Sequence, residues 1–248
     1  MGYIFDFKDA VEYEKALRRP QCRLVLEFEQ NFFLKMLKPA PGETLLDIGC
    51  GTGANIPSMT DAGLLVTGID PSPYMLNIAR KKIKDGVSFH RGFAESLPFD
   101  DNSFNHACMI TTLEFVEDTD RALEEACRVA KDSVFIGYLN RFALLGIWRR
   151  VNGIFNSTLY NHARFFSSWE LKWRIRRLMG DIPVSSRTMG QFPVGKLKIM
   201  RRIESSDILQ RCPFGAFGGI VAILVPRYRL RPLTLPLSTA KNEGASVG

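Results

Sequence analysis

Leu45-Leu46-Asp47-Ile48-Gly49-Cys50-Gly51-Thr52-Gly53-Ala54-Asn55 is the stretch whose reading decides the fold. Leu45, Leu46 and Ile48 form a short apolar run of the kind that makes a buried strand, and Asp47 stands near its end. Gly49, Gly51 and Gly53 follow at alternate positions. Glycine there lets the backbone turn sharply and lets a ligand approach without a Cβ in the way. A helix starting just after such a loop offers free N–H groups to an anionic group. The pattern is that of a strand–glycine loop–helix nucleotide site. Gly49-x-Gly51-x-x-Ala54 also satisfies the looser dinucleotide fingerprint, so the glycines alone do not choose the ligand. Asp47 tilts the choice, because a carboxylate just before the glycines is unwelcome beside a pyrophosphate and suits a ligand carrying an ammonium and a sulfonium.

Moving outward, Leu64 to Ile69 reads as the next strand, ending at Asp70, 19 residues after Gly51. An acidic residue at that distance accepts hydrogen bonds from ribose hydroxyls, and this holds for NAD as well as for other nucleosides. Pro71, Ser72 and Pro73 then start a helix, with Ser72 as its cap. Met75 lies early in that helix, placed to pack on an adenine. Val87 to Phe93 reads as a third strand, Phe104 to Ile110 as a fourth and Ser133 to Leu139 as a fifth, with a helix over Asp118 to Ala130 between the last two.

The D-I-G-C-G-T-G of residues 47–53 resembles motif I of the class I S-adenosylmethionine (SAM) methyltransferases. Gly92-Phe93-Ala94-Glu95-Ser96-Leu97-Pro98-Phe99, with Asp101 and Ser103-Phe104 beyond it, resembles a stretch of the quinone-biosynthesis members of that family. The resemblance is strong over about residues 43–140 and only general elsewhere. It implies SAM as cofactor, S-adenosyl-L-homocysteine as product, and a cofactor set of Asp47, Gly49, Cys50, Gly51, Gly53, Asp70, Pro71, Met75, Ala94, Glu95, Thr111 and Thr112. In the family the residue before the alanine is acidic and receives the adenine amino group. Phe93 stands there in this chain, so that contact falls to the Ala94 backbone, to Glu95 or to stacking on Phe93. Asn105 replaces the usual aspartate after Ser-Phe, and Lys131-Asp132 replaces the usual Pro-Gly-Gly turn. The implied fold is an α/β Rossmann-like, seven-stranded, mostly parallel sheet with helices on both faces and a C-terminal antiparallel strand.

The 248 residues and 46% hydrophobic content suit one α/β domain with insertions. It divides into an N-terminal helical cap (1–42), a SAM-binding core (43–140), and a substrate cover with the last strands (141–231). A disordered tail (232–248) is expected beyond Pro232. The cap carries a helix from about Gln21 to Leu37 whose apolar face fits core packing, while the family resemblance implies a cap over the SAM pocket with Phe5, Phe7 and Tyr13 as lid residues. Five scattered cysteines without a C-x-x-C pair fit reduced thiols in a cytoplasm and argue against a zinc site; no metal is expected. No export signal is visible at the N-terminus. Lys and Arg outnumber Asp and Glu 17 to 4 over residues 141–231, while residues 1–140 hold 15 against 21. That asymmetry fits a basic face toward an anionic partner, or a plain solvated surface.

Methyl transfer asks an enzyme mainly to orient two reactants and exclude water, so a catalytic motif is not required. Thr111-Thr112-Leu113-Glu114 occupies the place where amino-methylating DNA enzymes carry Asn/Asp-Pro-Pro-aromatic, which argues against nucleic acid. His162, Tyr160 and Arg141 are candidates for acceptor chemistry: a neutral imidazole could take a phenol or enol proton, and Arg141 could hold an anionic acceptor. Ser167-Ser168-Trp169-Glu170 reads as a capping box opening a helix to about Met179, and Ile182 to Thr188 and Ala216 to Val225 as the last two strands. The segment Phe142 to Phe166 interleaves large apolar groups with arginines, as amphipathic cover over an apolar pocket would, resting on an anionic membrane surface; a helical pair packed on the sheet with its arginines in water is the alternative. The reading is a methyltransferase of a small, hydrophobic molecule. A non-catalytic SAM-binding protein, or a methyltransferase of a macromolecule, is the alternative.

Overall fold

The computed structural model describes residues 2–83, 86–143, 163–190, 210 and 212–224. Helices α1 (Phe7–Leu17) and α2 (Pro20–Leu37) precede β1 (Thr44–Ile48), α3 (Ile56–Asp61), β2 (Leu65–Asp70), α4 (Pro73–Lys82) and β3 (Ser88–Arg91). Then come β4 (Phe104–Ile110), α5 (Thr119–Val129), β5 (Ala130–Leu139), α6 (Ser168–Met179), β6 (Val184–Met189) and β7 (Phe217–Ile223). The strands form one seven-stranded sheet in the order β3-β2-β1-β4-β5-β7-β6. β7 runs antiparallel to both β5 and β6, while β1 to β5 pair parallel. The last of the described strands thus enters between two earlier ones.

Alternate residues of each central strand feed opposite faces, as a pleated strand requires. Leu46, Ile48, Ala107, Met109, Val134 and Ile136 pack toward α5 and α6, joined by Leu123, Ala126, Leu171 and Ile175. Leu45, Val66, Cys108 and Phe135 pack on the other face against Phe32 and Phe33 of α2 and Ile56 and Met59 of α3. Burial on both faces is why these strands read as continuous apolar runs.

Helix ends follow local chemistry. Asp6 and Asp9 form a reciprocal capping box at α1, an element the sequence reading did not resolve within its helical cap. Ser72 caps α4 by accepting from the Met75 N–H, with Pro73 in the first turn. At α6, Ser167 accepts from the Glu170 N–H as expected, but the Glu170 carboxylate turns instead to Arg141 and Arg174. Between α5 and β5 there is no intervening turn: the strand begins at Ala130, three residues before the expected Ser133. Asp132 explains this, because its carboxylate takes the Asn105 side-chain amide and its carbonyl the Leu224 N–H. No helix among the described residues is long and apolar enough to cross a membrane. The tail 232–248 and most of the segment 142–166 lie outside the described residues.

Candidate functional site

The sheet order reverses between β1 and β4, and a cleft opens there at the carboxyl ends of β1, β2 and β4, the usual ligand position in open α/β sheets. Its floor is the glycine loop. The Gly49 and Cys50 N–H groups both donate to the Ile69 carbonyl, at 2.7 and 3.1 Å. Gly49 has φ 74°, and a Cβ there would lie 2.4 Å from the Thr112 Cγ2 atom. Gly51 has φ 55° with nothing within 4 Å of an added Cβ, so open space stands in front of it. Asp70 ties the loop to α4: Oδ2 accepts from the Gly51 N–H at 2.9 Å and Oδ1 from the Ser72 N–H at 2.8 Å. Burial pushes its pKa up to about 6, against the pull of those two N–H groups.

Of the twelve residues expected to hold the cofactor, ten line this one cleft: Gly49, Cys50, Gly51, Asp70, Pro71, Met75, Ala94, Glu95, Thr111 and Thr112. Asp47 and Gly53 do not. Asp47 is buried behind the loop, where Oδ1 accepts from the Cys108 thiol and Oδ2 has no hydrogen-bond partner. Burial raises its pKa to about 7. Gly53 faces α4, where a Cβ would lie 2.7 Å from the Ile83 Cδ1 atom. Thr111 adopts φ 54°, a left-handed conformation unusual outside glycine and frequent at functional sites. Thr112 donates to the Ile48 carbonyl, bringing β4 against the end of β1.

The stretch that carries the second resemblance is clamped from behind by α5. Glu125 accepts the Leu97 N–H, and Arg128 donates to the Leu97 and Phe99 carbonyls. The Glu95 carboxylate accepts the Glu117 N–H at 2.9 Å, while Phe93 lines the cleft and is 44% exposed.

Several lining residues are missing from the expected set. Gly2, Tyr3 and Ile4 lie across the cleft with Phe5 as an extended strap. The Tyr3 N–H donates to the Phe115 carbonyl and the Ser72 hydroxyl to the Phe5 carbonyl. The Phe5 ring stands edge-on to Tyr3, Phe115 and Tyr13, with centroids 5.3, 5.0 and 6.5 Å away. Phe5 and Tyr13 therefore border the cleft, whereas Phe7 is exposed and packs on Tyr74. Asn55 and Val116 complete the wall. Of the acceptor candidates, His162 and Tyr160 lie outside the described residues. Arg141 is not in this cleft: it borders a second, open pocket, with its guanidinium on the Phe165 carbonyl and on Glu170.

The described lining carries two carboxylates and no Lys, Arg or His. Such a cleft suits a cation beside an apolar body.

The sequence profile of a family described as "Methyltransferase domain" matches residues 46–136. A demethylmenaquinone methyltransferase of Tropheryma whipplei is 39% identical over 136 residues, covering 50% of this chain and 56% of that protein. Its counterpart from Chlorobaculum parvum is 42% identical over 101 residues, covering 39% and 42%. The chain thus matches about half the length of these relatives. Among solved structures, a Thermotoga maritima SAM-dependent methyltransferase, described as a possible histamine N-methyltransferase, is 31% identical, with TM-score 0.66 over 88% of this chain and 96% of that one. An Aquifex aeolicus SAM-dependent methyltransferase at 22% identity and TM-score 0.62 shares the fold.

Proposed function

This chain belongs to the SAM-dependent methyltransferases, and we propose that it transfers the SAM methyl group in line to a small, hydrophobic acceptor. The observation that carries this reading is the cleft itself: a buried carboxylate beside a positive-φ glycine loop, under a strap of aromatic rings, with no basic side chain among its described lining.

When bound, SAM supplies a methyl group made electrophilic by its sulfonium. Asp70 would accept from the ribose hydroxyls while keeping the Gly51 and Ser72 N–H groups occupied. Gly51 admits the ligand against the backbone. Met75, Phe93 and the Ala94 backbone would receive the adenine, and Thr111 and Thr112 would border the methionine end. Asp47, one layer back, adds negative potential beneath the loop. Tyr3, Phe5 and Phe115 exclude water, and holding two reactants in a dry, oriented pair is worth roughly 7–11 kcal/mol in favourable intramolecular cases. Residues 1–42 then serve as cap, 43–140 as cofactor core and 141–231 as acceptor cover. The scattered cysteines, outside any disulfide, fit a cytoplasmic setting, and the basic 141–231 region fits peripheral contact with an anionic membrane.

Calorimetry is expected to show binding of SAM and S-adenosylhomocysteine and none of NAD. Binding of NAD with no response to SAM overturns the reading. Turnover of SAM in a cell extract separates an enzyme from a non-catalytic binder.

Affinity is also expected to depend on pH. Burial holds Asp70 near pKa 6 and Asp47 near 7 in the free protein. A cationic ligand favours their ionised forms, so binding should tighten as pH rises from about 5 to 8 and should release protons below about pH 7. For the free fold the sign is opposite. Carboxyls whose pKa is raised on folding bind more protons folded than unfolded, so their contribution falls as pH climbs from about 4 toward 7. Calorimetry in buffers of different ionisation enthalpy reads the proton release; affinity flat across this range would refute the assignment.

A further inference from the structure

The second pocket is lined by Thr119, Arg141, Arg164, Phe165, Glu170 and Arg174, with Phe166 behind. Three arginines and one glutamate line it, and Asp120 just outside it takes Arg174 as a second carboxylate partner. Each guanidinium has five N–H donors in a fixed fork that matches carboxylate or phosphate oxygens. Internal contacts use only part of that capacity. Arg141 donates from Nε and Nη2 to the Phe165 carbonyl and pairs with Glu170 at 3.2 Å. Arg164 makes one long side-chain bond, from Nη1 to the Glu117 carbonyl at 3.4 Å. Arg174 is held by Asp120 and Glu170, and its Nε and the Glu170 Oε2 atom are both buried without a hydrogen-bond partner.

The pocket adjoins the cofactor cleft. Val116 lines the cleft and Thr119 the pocket, and three residues of chain span no more than about 11 Å. Glu117 joins the two sides: its N–H donates to Glu95 of the cleft and its carbonyl accepts from Arg164 of the pocket. Both open on the edge of the sheet reached by the ends of β4 and β5. The two surfaces differ in charge. The cleft has carboxylates and no described cation, while the pocket is an arginine cluster.

Resting on the methyltransferase reading, we propose that this pocket binds an oxyanion, a phosphate or carboxylate group, carried on the acceptor at the end remote from its methylated atom. The acceptor is then an amphiphile, with an apolar end in the cleft and an anionic end on the arginines. Arg141 and Arg164 act as specificity-determining residues.

The test uses inorganic phosphate as probe on the full chain. Calorimetry or ³¹P NMR is expected to show saturable one-to-one binding that weakens at least tenfold in Arg164→Ala. Arg164 is chosen because its single long bond makes its replacement the least disruptive to the fold, and thermal melting checks that. Weak, unsaturable binding that survives in Arg164→Ala is general attraction to a basic chain and overturns the proposal. Displacement of the phosphate by glycerol phosphate identifies a soluble anion. Displacement by phosphatidylglycerol vesicles, and not by glycerol phosphate or phosphatidylcholine vesicles, identifies a lipid headgroup. Extract incubated with methyl-labelled SAM is expected to yield a labelled product retained on an anion exchanger at pH 7. A labelled product in the flow-through overturns this proposal and leaves the methyltransferase reading standing. Absence of SAM binding in the wild-type chain removes the reading on which it rests.

Discussion

Replacing Gly49 with alanine is expected to weaken SAM binding at least a hundredfold, about 2.7 kcal/mol or more, while the fold survives. Two effects add. A left-handed conformation costs a non-glycine residue roughly 1–2 kcal/mol, and Gly49 sits at φ 74°. The new methyl would also lie 2.4 Å from the Thr112 Cγ2 and 2.5 Å from its Oγ1. Thr112 cannot simply turn aside, because its hydroxyl donates to the Ile48 carbonyl at 2.8 Å. Either the loop lifts off the Ile69 carbonyl or Thr112 swings into the cleft, and both fill the space meant for the ligand. The Gly49→Ala/Thr112→Ala pair removes the clash and leaves the backbone strain, so it should recover part of the affinity. Calorimetry beside thermal melting decides it. An unchanged dissociation constant for Gly49→Ala would show that the ligand does not lie on this loop.

Asp70→Ala is expected to lower SAM affinity by ten- to a hundredfold, since hydrogen bonds to a charged group are worth about 1.5–3 kcal/mol. It should also move stability, which a purely ligand-facing residue would not do. The variant leaves the Gly51 and Ser72 N–H groups without their acceptor, at a cost of about 1–3 kcal/mol for a buried group. Removing a carboxylate whose burial already raises its pKa to about 6 offsets part of that. Asp70→Asn keeps one acceptor oxygen for one of the two N–H groups and should melt between the wild type and the alanine variant. Full SAM affinity in Asp70→Ala would refute its assignment to the ribose.

The loop and its acidic partner were legible in the sequence because their chemistry is local: glycines at alternate positions, an aspartate 19 residues on, a Ser-Pro helix start. The five central strands were legible for a related reason, since burial on both faces leaves apolar runs that need no partner to be recognised. What could not be read depends on contacts distant in the chain. Tyr3 meets Phe115 across more than a hundred residues, so no local pattern announces that the first residues roof the cleft. The Asp6–Asp9 box at α1 looks like scattered charge unless the helix is already suspected. Arg141 follows a strand whose end borders the site, yet Phe165 and Glu170 draw it into the neighbouring pocket. Glu95 keeps its place in the lining while its carboxylate serves the backbone at Glu117. Asp47 and Gly53 belong to the motif through what they do behind the loop, a distinction that spacing cannot express.

The strand order also dictates an order of assembly. β7, the last of the described strands to be synthesised, is the one that joins β5 to β6. Until Phe217–Ile223 arrive, β5 presents an open edge along Val134, Phe135 and Ile136, residues buried in the finished sheet. β6 meanwhile has no neighbour among the described strands. Some eighty residues separate Leu139 from its partner Phe217, and pairings at such range form slowly because the intervening chain must first be closed into a loop. An unpaired apolar edge that persists during this delay is a template for association with other chains. Conditions that lower the concentration of newly made chains or raise chaperone capacity should therefore increase the yield of native protein more than conditions that stabilise the finished fold.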